Sequence, residues 1–156
     1  MRKLEITIPV RVYAYDELDE ARRKLIDRAK EATGGSYAPY SNFNVGAAIE
    51  LATGEIVTGA NQENAAFSSG TCAERSACFS AGALHKGVPM RRIAIAAYTA
   101  SAFQRKPISP CGACRQALLE YETAQGSPME VLLYGSDEVY VLPSVAATLP
   151  LCFTEF

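Results

Sequence analysis

The chain predicts a three-layer α/β/α sandwich around a five-stranded mixed sheet. Its elements follow in the order strand–strand–helix–strand–helix–strand–strand, which puts helices on both faces of one sheet. The run Ile93-Ala94-Ile95-Ala96-Ala97-Tyr98 is continuously apolar, as a strand covered on both sides requires. Only Gly135-Ser136-Asp137-Glu138 separates the last two strands. That link closes a hairpin and is far too short for a parallel crossover, so the last pair is expected to be antiparallel.

The elements follow from local chemistry. Leu4, Ile6, Ile8, Val10 and Val12 share one parity, the signature of a half-buried strand, although Pro9 demotes this segment to a sheet edge or an irregular arm. Residues 1–15 are therefore set apart as an N-terminal strand or arm, and 16–156 as a single domain. Asp16 or Asp19 caps a helix whose Leu18, Ala21, Leu25, Ala29 and Ala32 form an apolar stripe, and Gly34-Gly35 stop it. Phe43, Val45, Ala47, Ile49 and Leu51 alternate through the first core strand. Thr53-Gly54 turn the chain, and Glu55 to Ala60 return as its hairpin partner. A helix is expected from Cys72 to about Lys86, with Ala73, Ala77, Ala81 and Leu84 on one face. Pro110 introduces a second, running to about Glu122, and Val131–Tyr134 and Val139–Leu142 supply the last two strands.

Composition narrows the function. The 156 residues are 49% apolar and 21% charged, within globular averages, and suffice for one well-buried core. A net charge of −2 and an isoelectric point near 5.5 leave no nucleic-acid footprint; the basic groups Arg22-Arg23-Lys24 and Arg91-Arg92 read as solvated faces. A small free substrate fits better than a polymer. No stretch reaches the roughly 18 apolar residues of a membrane span. The N-terminal residues alternate where a signal peptide would be continuously apolar, which points to a cytoplasmic protein. Five cysteines in such a chain suggest metal or chemistry before disulfides.

Two short runs carry that chemistry: Thr71-Cys72-Ala73-Glu74-Arg75 and Ser109-Pro110-Cys111-Gly112-Ala113-Cys114-Arg115-Gln116. The spacing of Cys111 and Cys114 lets two sulfurs reach one metal ion from a single turn, and taken alone it fits a redox pair, a structural zinc site or a catalytic one. Cys72 adds a third ligand. Glu74, two residues on, adds a carboxylate beside the fourth position of a catalytic zinc, where it can move a water's proton. Both runs stand at predicted helix starts, where unpaired N–H groups favour thiolate. Arg75 is placed to donate to the sulfurs and offset their excess negative charge. A closed structural site would need a fourth protein ligand. Cys78 is turned away on its helix, His85 sits near a helix end, and Cys152 reads as buried and inert. The residues thus point to a zinc-dependent hydrolase or deaminase.

The runs Tyr37-Ala38-Pro39-Tyr40-Ser41-Asn42-Phe43-Asn44-Val45-Gly46-Ala47-Ala48, Asn61-Gln62-Glu63-Asn64-Ala65-Ala66, Cys72-Ala73-Glu74-Arg75 and Pro110-Cys111-Gly112-Ala113-Cys114-Arg115-Gln116 closely resemble the small, homotetrameric, zinc-dependent cytidine deaminases. The four motifs keep the family's order and spacing between about Tyr37 and Phe153. This resemblance implies the cytidine deaminase-like fold for residues 16–156 and one Zn2+ per subunit on Cys72, Cys111 and Cys114. It implies hydrolytic deamination of cytidine and deoxycytidine in pyrimidine salvage. Glu74 would pass a proton from water to the pyrimidine N3 and then help ammonia leave. By the same resemblance, the Ala73 N–H contacts the base, Asn61 and Glu63 hold the ribose 3′-hydroxyl, and Phe43 packs against the nucleoside. Phe153 matches a phenylalanine that stacks on the pyrimidine in a neighbouring subunit, so the active sites would be shared within a homotetramer.

Phe67 departs from the pattern, standing where family members often have tyrosine, and the arm before Asp16 has no counterpart. The rivals are a related deaminase of another base or of a nucleoside antibiotic such as blasticidin S, and a Cys-x-x-Cys redox or structural zinc protein. The Asn61/Glu63 pair suits an unmodified ribose and weighs against the first. Polynucleotide deaminases usually have a parallel last pair, against the short link seen here.

Overall fold

In the computed structural model, residues 1–154 are described. The strands are β1 (Arg11–Tyr13), β2 (Asn44–Leu51), β3 (Ile56–Ala60), β4 (Met90–Thr99), β5 (Ala102–Phe103), β6 (Glu130–Tyr134) and β7 (Val139–Leu142), with helices α1 (Glu20–Ala32), α2 (Ala73–Leu84) and α3 (Gly112–Gln125). They form one mixed sheet in the order β1-β7-β6-β4-β2-β3, with β5 also paired to β4. Only β4 and β6 run parallel, and β6–β7 is the expected antiparallel hairpin.

Alternation along the central strands separates two cores. Ala47, Ile49, Ile93, Ile95, Val131 and Leu133 face Ala73, Ala77, Ala81 and Leu118 of α2 and α3. The intervening Ala48, Ala94, Ala96 and Leu132 face Leu25, Ile26 and Ala29 of α1. The expected sandwich is therefore present. Alternation in β2 distinguishes two cores.

Helix starts and stops follow capping chemistry. The Asp19 side chain accepts the Arg22 N–H at 2.9 Å, so Asp19, not Asp16, caps α1. Gly126, at φ 65°, terminates α3 in the left-handed conformation that glycine adopts without steric cost.

Three expectations are corrected. The sheet has seven strands where five were expected, because two very short ones join its margins. Strand β5 is two residues long and follows a reversal in which Ala100 and Ser101 take φ of 47° and 68°. Nothing that short has a readable period. The N-terminal alternation yields a strand only at Arg11–Tyr13, and Leu4, Ile6, Ile8 and Val10 are exposed. The register Arg11↔Val141 explains the stop: continued two residues, it sets Pro9 opposite Pro143, where neither residue has an N–H to give. Leu84, assigned to the buried stripe of α2, is 73% exposed because it lies in the last turn, past the packed alanines.

One contact places the rest. A Cβ on Gly59 of β3 would lie 2.4 Å from the Ala77 nitrogen and 2.7 Å from the Ala73 carbonyl, so α2 rests backbone-to-backbone on the sheet. Gly59→Ala is expected to destabilise the chain by about 1–3 kcal/mol by overpacking and to lower its zinc content, since Cys72 is the N-cap residue of α2. Gly34→Ala, with nothing within 4 Å of the added carbon, should be nearly silent in the same denaturant titration and metal analysis.

Candidate active site

Cys72 is the N-cap residue of α2 and Cys111 that of α3, both in extended conformation and neither using its side chain to cap the helix. Their sulfurs are thus left for another partner at two neighbouring helix N-termini, where the dipole favours anions. The Cys72 and Cys111 sulfurs lie 3.8 Å apart, those of Cys111 and Cys114 3.4 Å, and all three fall within 4.8 Å of one another. Zn–S bonds of 2.3 Å at tetrahedral angles put sulfurs about 3.8 Å apart, so the trio fits a zinc ion in both donor chemistry and spacing.

The other cysteines and the histidine lie outside this trio. The Cys78 thiol is buried and donates to the Arg75 carbonyl at 3.7 Å, and His85 lies 3.6 Å from Glu55. Cys152, expected to be buried, is exposed on the C-terminal segment. The set is therefore a three-sulfur site with room for a non-protein ligand, the arrangement of catalytic zinc.

Protonation within the trio is shared. A hydrogen bond from Cys114, aided by Arg75, holds the Cys72 thiol well below its usual range, and the same contact pushes Cys114 upward. Arg75 places Nη2 3.9 Å from the Cys72 sulfur, while its buried Nε has no partner among the described residues. Glu74 is 4% exposed, and burial, reinforced by the Cys72 charge, raises its carboxyl above the ordinary carboxylate range. A carboxyl so placed holds its proton more firmly than one in water, which suits a group that must both accept and deliver one.

Glu74, Cys72 and Cys111 line a cavity of about 550 Å³ whose walls also include Phe43, Asn61, Glu63 and Phe67. That volume suits a small organic molecule. Asn61 and Glu63 also have local bonds. Asn61 accepts the Val45 N–H at 2.8 Å and donates to the Phe43 carbonyl at 2.9 Å, pinning the entry to β2. Glu63 accepts the Tyr40 N–H at 2.9 Å, the Ser41 N–H at 3.3 Å and the Ser41 hydroxyl. Each keeps unused capacity, a second amide hydrogen on Asn61 and further lone pairs on Glu63.

The family model for the cytidine and deoxycytidylate deaminase zinc-binding region matches residues 19–126. The chain belongs to this deaminase family. It is similar to the cytidine deaminase of Halalkalibacterium halodurans, with 41% identity over 64% of this chain and 70% of that protein. Similarity to the Sporosarcina psychrophila cytidine deaminase is 44% over 63% of this chain and 68% of the relative. Among solved structures, the cytidine deaminase from Burkholderia pseudomallei superposes with a TM-score of 0.72 at 41% identity, covering 83% of this chain and 97% of that one. The Mycobacterium tuberculosis cytidine deaminase gives a TM-score of 0.68 at 28% identity, over 88% and 100%.

In this candidate site, the structure brings together the three cysteines, Glu74, Arg75, Phe43, Asn61 and Glu63. Ala73 is fully buried at the first position of α2. Phe43 precedes β2 and does not open it. Phe153 lies outside the residues lining its own chain's cavity and is 65% exposed, its carbonyl held by the Gln116 side chain at 2.8 Å. The sequence reading missed Ile108 and gave Ser109 no role, and their place just before Pro110-Cys111 brings both into the wall. It also gave no role to Arg115, which donates to the Pro110 and Thr148 carbonyls, both at 2.8 Å.

Cys72→Ala is expected to remove most bound zinc, whereas Cys78→Ala leaves the zinc-to-protein ratio unchanged in elemental analysis. Hydrogen bonds from the Ser41 hydroxyl and then the Tyr40 N–H hold the Glu63 carboxyl below its ordinary 4.5. Its hold on the turn is therefore complete above that value and is lost only as pH falls through the depressed one. The protection of the Tyr40 amide, taken relative to its intrinsic exchange rate at each pH, should fall on acidification in the native chain and be low at every pH in Glu63→Ala.

Proposed function

We propose that this chain is a zinc-dependent enzyme that hydrolyses cytidine and deoxycytidine to uridine and deoxyuridine, releasing ammonia. The observation that carries this reading is a buried carboxylate, Glu74, on the wall of the same cavity as Cys72 and Cys111, two of the three cysteines whose sulfurs converge. Cys72, Cys111 and Cys114 would hold the zinc, whose Lewis acidity would make water a competent nucleophile at neutral pH. Glu74 accepts the proton of that water, delivers it to pyrimidine N3 and assists ammonia in leaving C4. Arg75 offsets the negative charge of the trio through Cys72, and the Ala73 N–H, at the start of α2, donates to the base. Asn61 and Glu63 bind the sugar 3′-hydroxyl with their remaining capacity, and Phe43 packs against the nucleoside.

On this reading residues 16–156 act as one deaminase unit, with 1–15 as an arm. The chain works in the cytoplasm in pyrimidine salvage. Among the described residues, no helix is long and apolar enough to cross a membrane. The functional assembly is a homotetramer in which Phe153 of one copy closes the cavity of the next, supported by its exposed ring outside its own chain's cavity.

The test is ultraviolet monitoring of cytidine, deoxycytidine and free cytosine with metal-analysed protein. Both nucleosides should be converted and cytosine should not. Equal efficiency on cytosine would remove the sugar-binding role of Asn61 and Glu63. Glu74→Gln should retain zinc while losing on the order of 10²–10⁴-fold in kcat, the usual scale for a positioned acid–base group. Undiminished turnover in that variant would rule out Glu74 as the proton carrier.

A further inference from the structure

The stretch from Val145 to Phe153 returns along α3 and is fastened to it at three levels. Toward the end of the helix, the buried Glu122 carboxylate accepts the Val145 and Ala146 N–H groups at 2.7 and 2.9 Å. In the first turn, Arg115 donates through Nη1 to the Thr148 carbonyl at 2.8 Å, and Thr148 is itself buried, its hydroxyl donating to the Val145 carbonyl at 2.7 Å. The next residue, Gln116, donates through Nε2 to the Phe153 carbonyl at 2.8 Å.

These two fastenings adjoin the two-cysteine turn. Arg115 and Gln116 follow Cys114, and Pro110 precedes Cys111. The start of α3 is short of local restraint: the Cys111 side chain makes no capping bond, and Pro110 has no N–H. Arg115 supplies what is missing, because Nε of the same guanidinium donates to the Pro110 carbonyl at 2.8 Å. One planar group thus grips the backbone before Cys111 and the backbone at Thr148. Its fixed fork loses little freedom in making two such bonds.

We propose that Arg115 and Gln116 are positioning residues for the metal, clamping the Cys111–Cys114 turn to the C-terminal segment so that zinc retention depends on that segment. The inference rests on the reading of Cys111 and Cys114 as zinc ligands. Two of the three sulfurs come from this one turn, so opening it removes most of the ligand set at once. Contacts that orient ligands in this way typically change metal affinity by about 10–100-fold.

The test compares zinc-loaded full-length chains challenged with excess 4-(2-pyridylazo)resorcinol. Arg115→Met and Gln116→Leu keep side-chain length and remove the donors, and each should release zinc on the order of 10-fold faster than the native chain. Gln116→Lys, which restores a donor, should return release toward the native rate. A chain ending at Cys152 lacks the Phe153 carbonyl and should release zinc as Gln116→Leu does. In Gln116→Leu, the rise in Tm on zinc binding should shrink while the zinc-free Tm stays near native, a difference that a merely structural role would not produce. Native release rates in Gln116→Leu and in the shortened chain, or equal falls in Tm with and without zinc, would overturn the proposal even where Arg115→Met fails to fold. A native chain that binds no zinc would instead strike the ligand reading itself.

Discussion

Everything at the site depends on bringing two helix N-termini side by side on one face of the sheet. Cys72 and Cys111 are 39 residues apart in the chain, yet their sulfurs are 3.8 Å apart. The topology makes this possible. Strand β3 lies at one side and sends the chain through α2 into β4, while the parallel pair β4–β6 requires the crossover that α3 provides. Both helices therefore pack on the same core. The fit is close because Gly59 removes the side chain that would hold the start of α2 off the sheet.

The electrostatics follow from that convergence. A dication on three thiolates would leave one negative charge, an unfavourable setting for acidifying water. Arg75 opposes the excess at Cys72, and the two helix dipoles add positive potential from the backbone. Glu74 answers a different need. Its burial costs the ionised form solvation, so the carboxyl holds protons more tightly than one in water would. The site thus combines a ligand set that favours anions with a neighbouring acid that resists becoming one. That difference gives two acidic groups a few residues apart separate tasks.

Much of this was legible because the informative residues are local. The two cysteine runs, the apolar stretch in β4 and the four-residue hairpin link each carry their meaning within a few positions, and all appear in the fold. What was not legible depends on partners distant in sequence. Asn61 has the chemistry of a ligand-binding amide, but only the folded chain shows the same amide bridging the Phe43 carbonyl and the Val45 N–H. Cys152 resembles a core residue in composition and is exposed because the segment carrying it lies on the outside of α3. Glu122 gives no sign in the sequence that three backbone N–H groups, those of Met129, Val145 and Ala146, converge on its carboxylate.

The facing of Pro9 and Pro143 at the margin of the sheet has a consequence for the molecule's behaviour in a crowded solution. An open strand border is a template on which other chains can assemble, and the alternating Leu4–Val12 stretch has the composition to extend such growth. Two imino acids meeting where the ladder would lengthen interrupt it from both sides and hold β1 to three residues. The ladder between β1 and β7 therefore ends where both sides lose their donors, and the greasy leading segment is left outside the sheet.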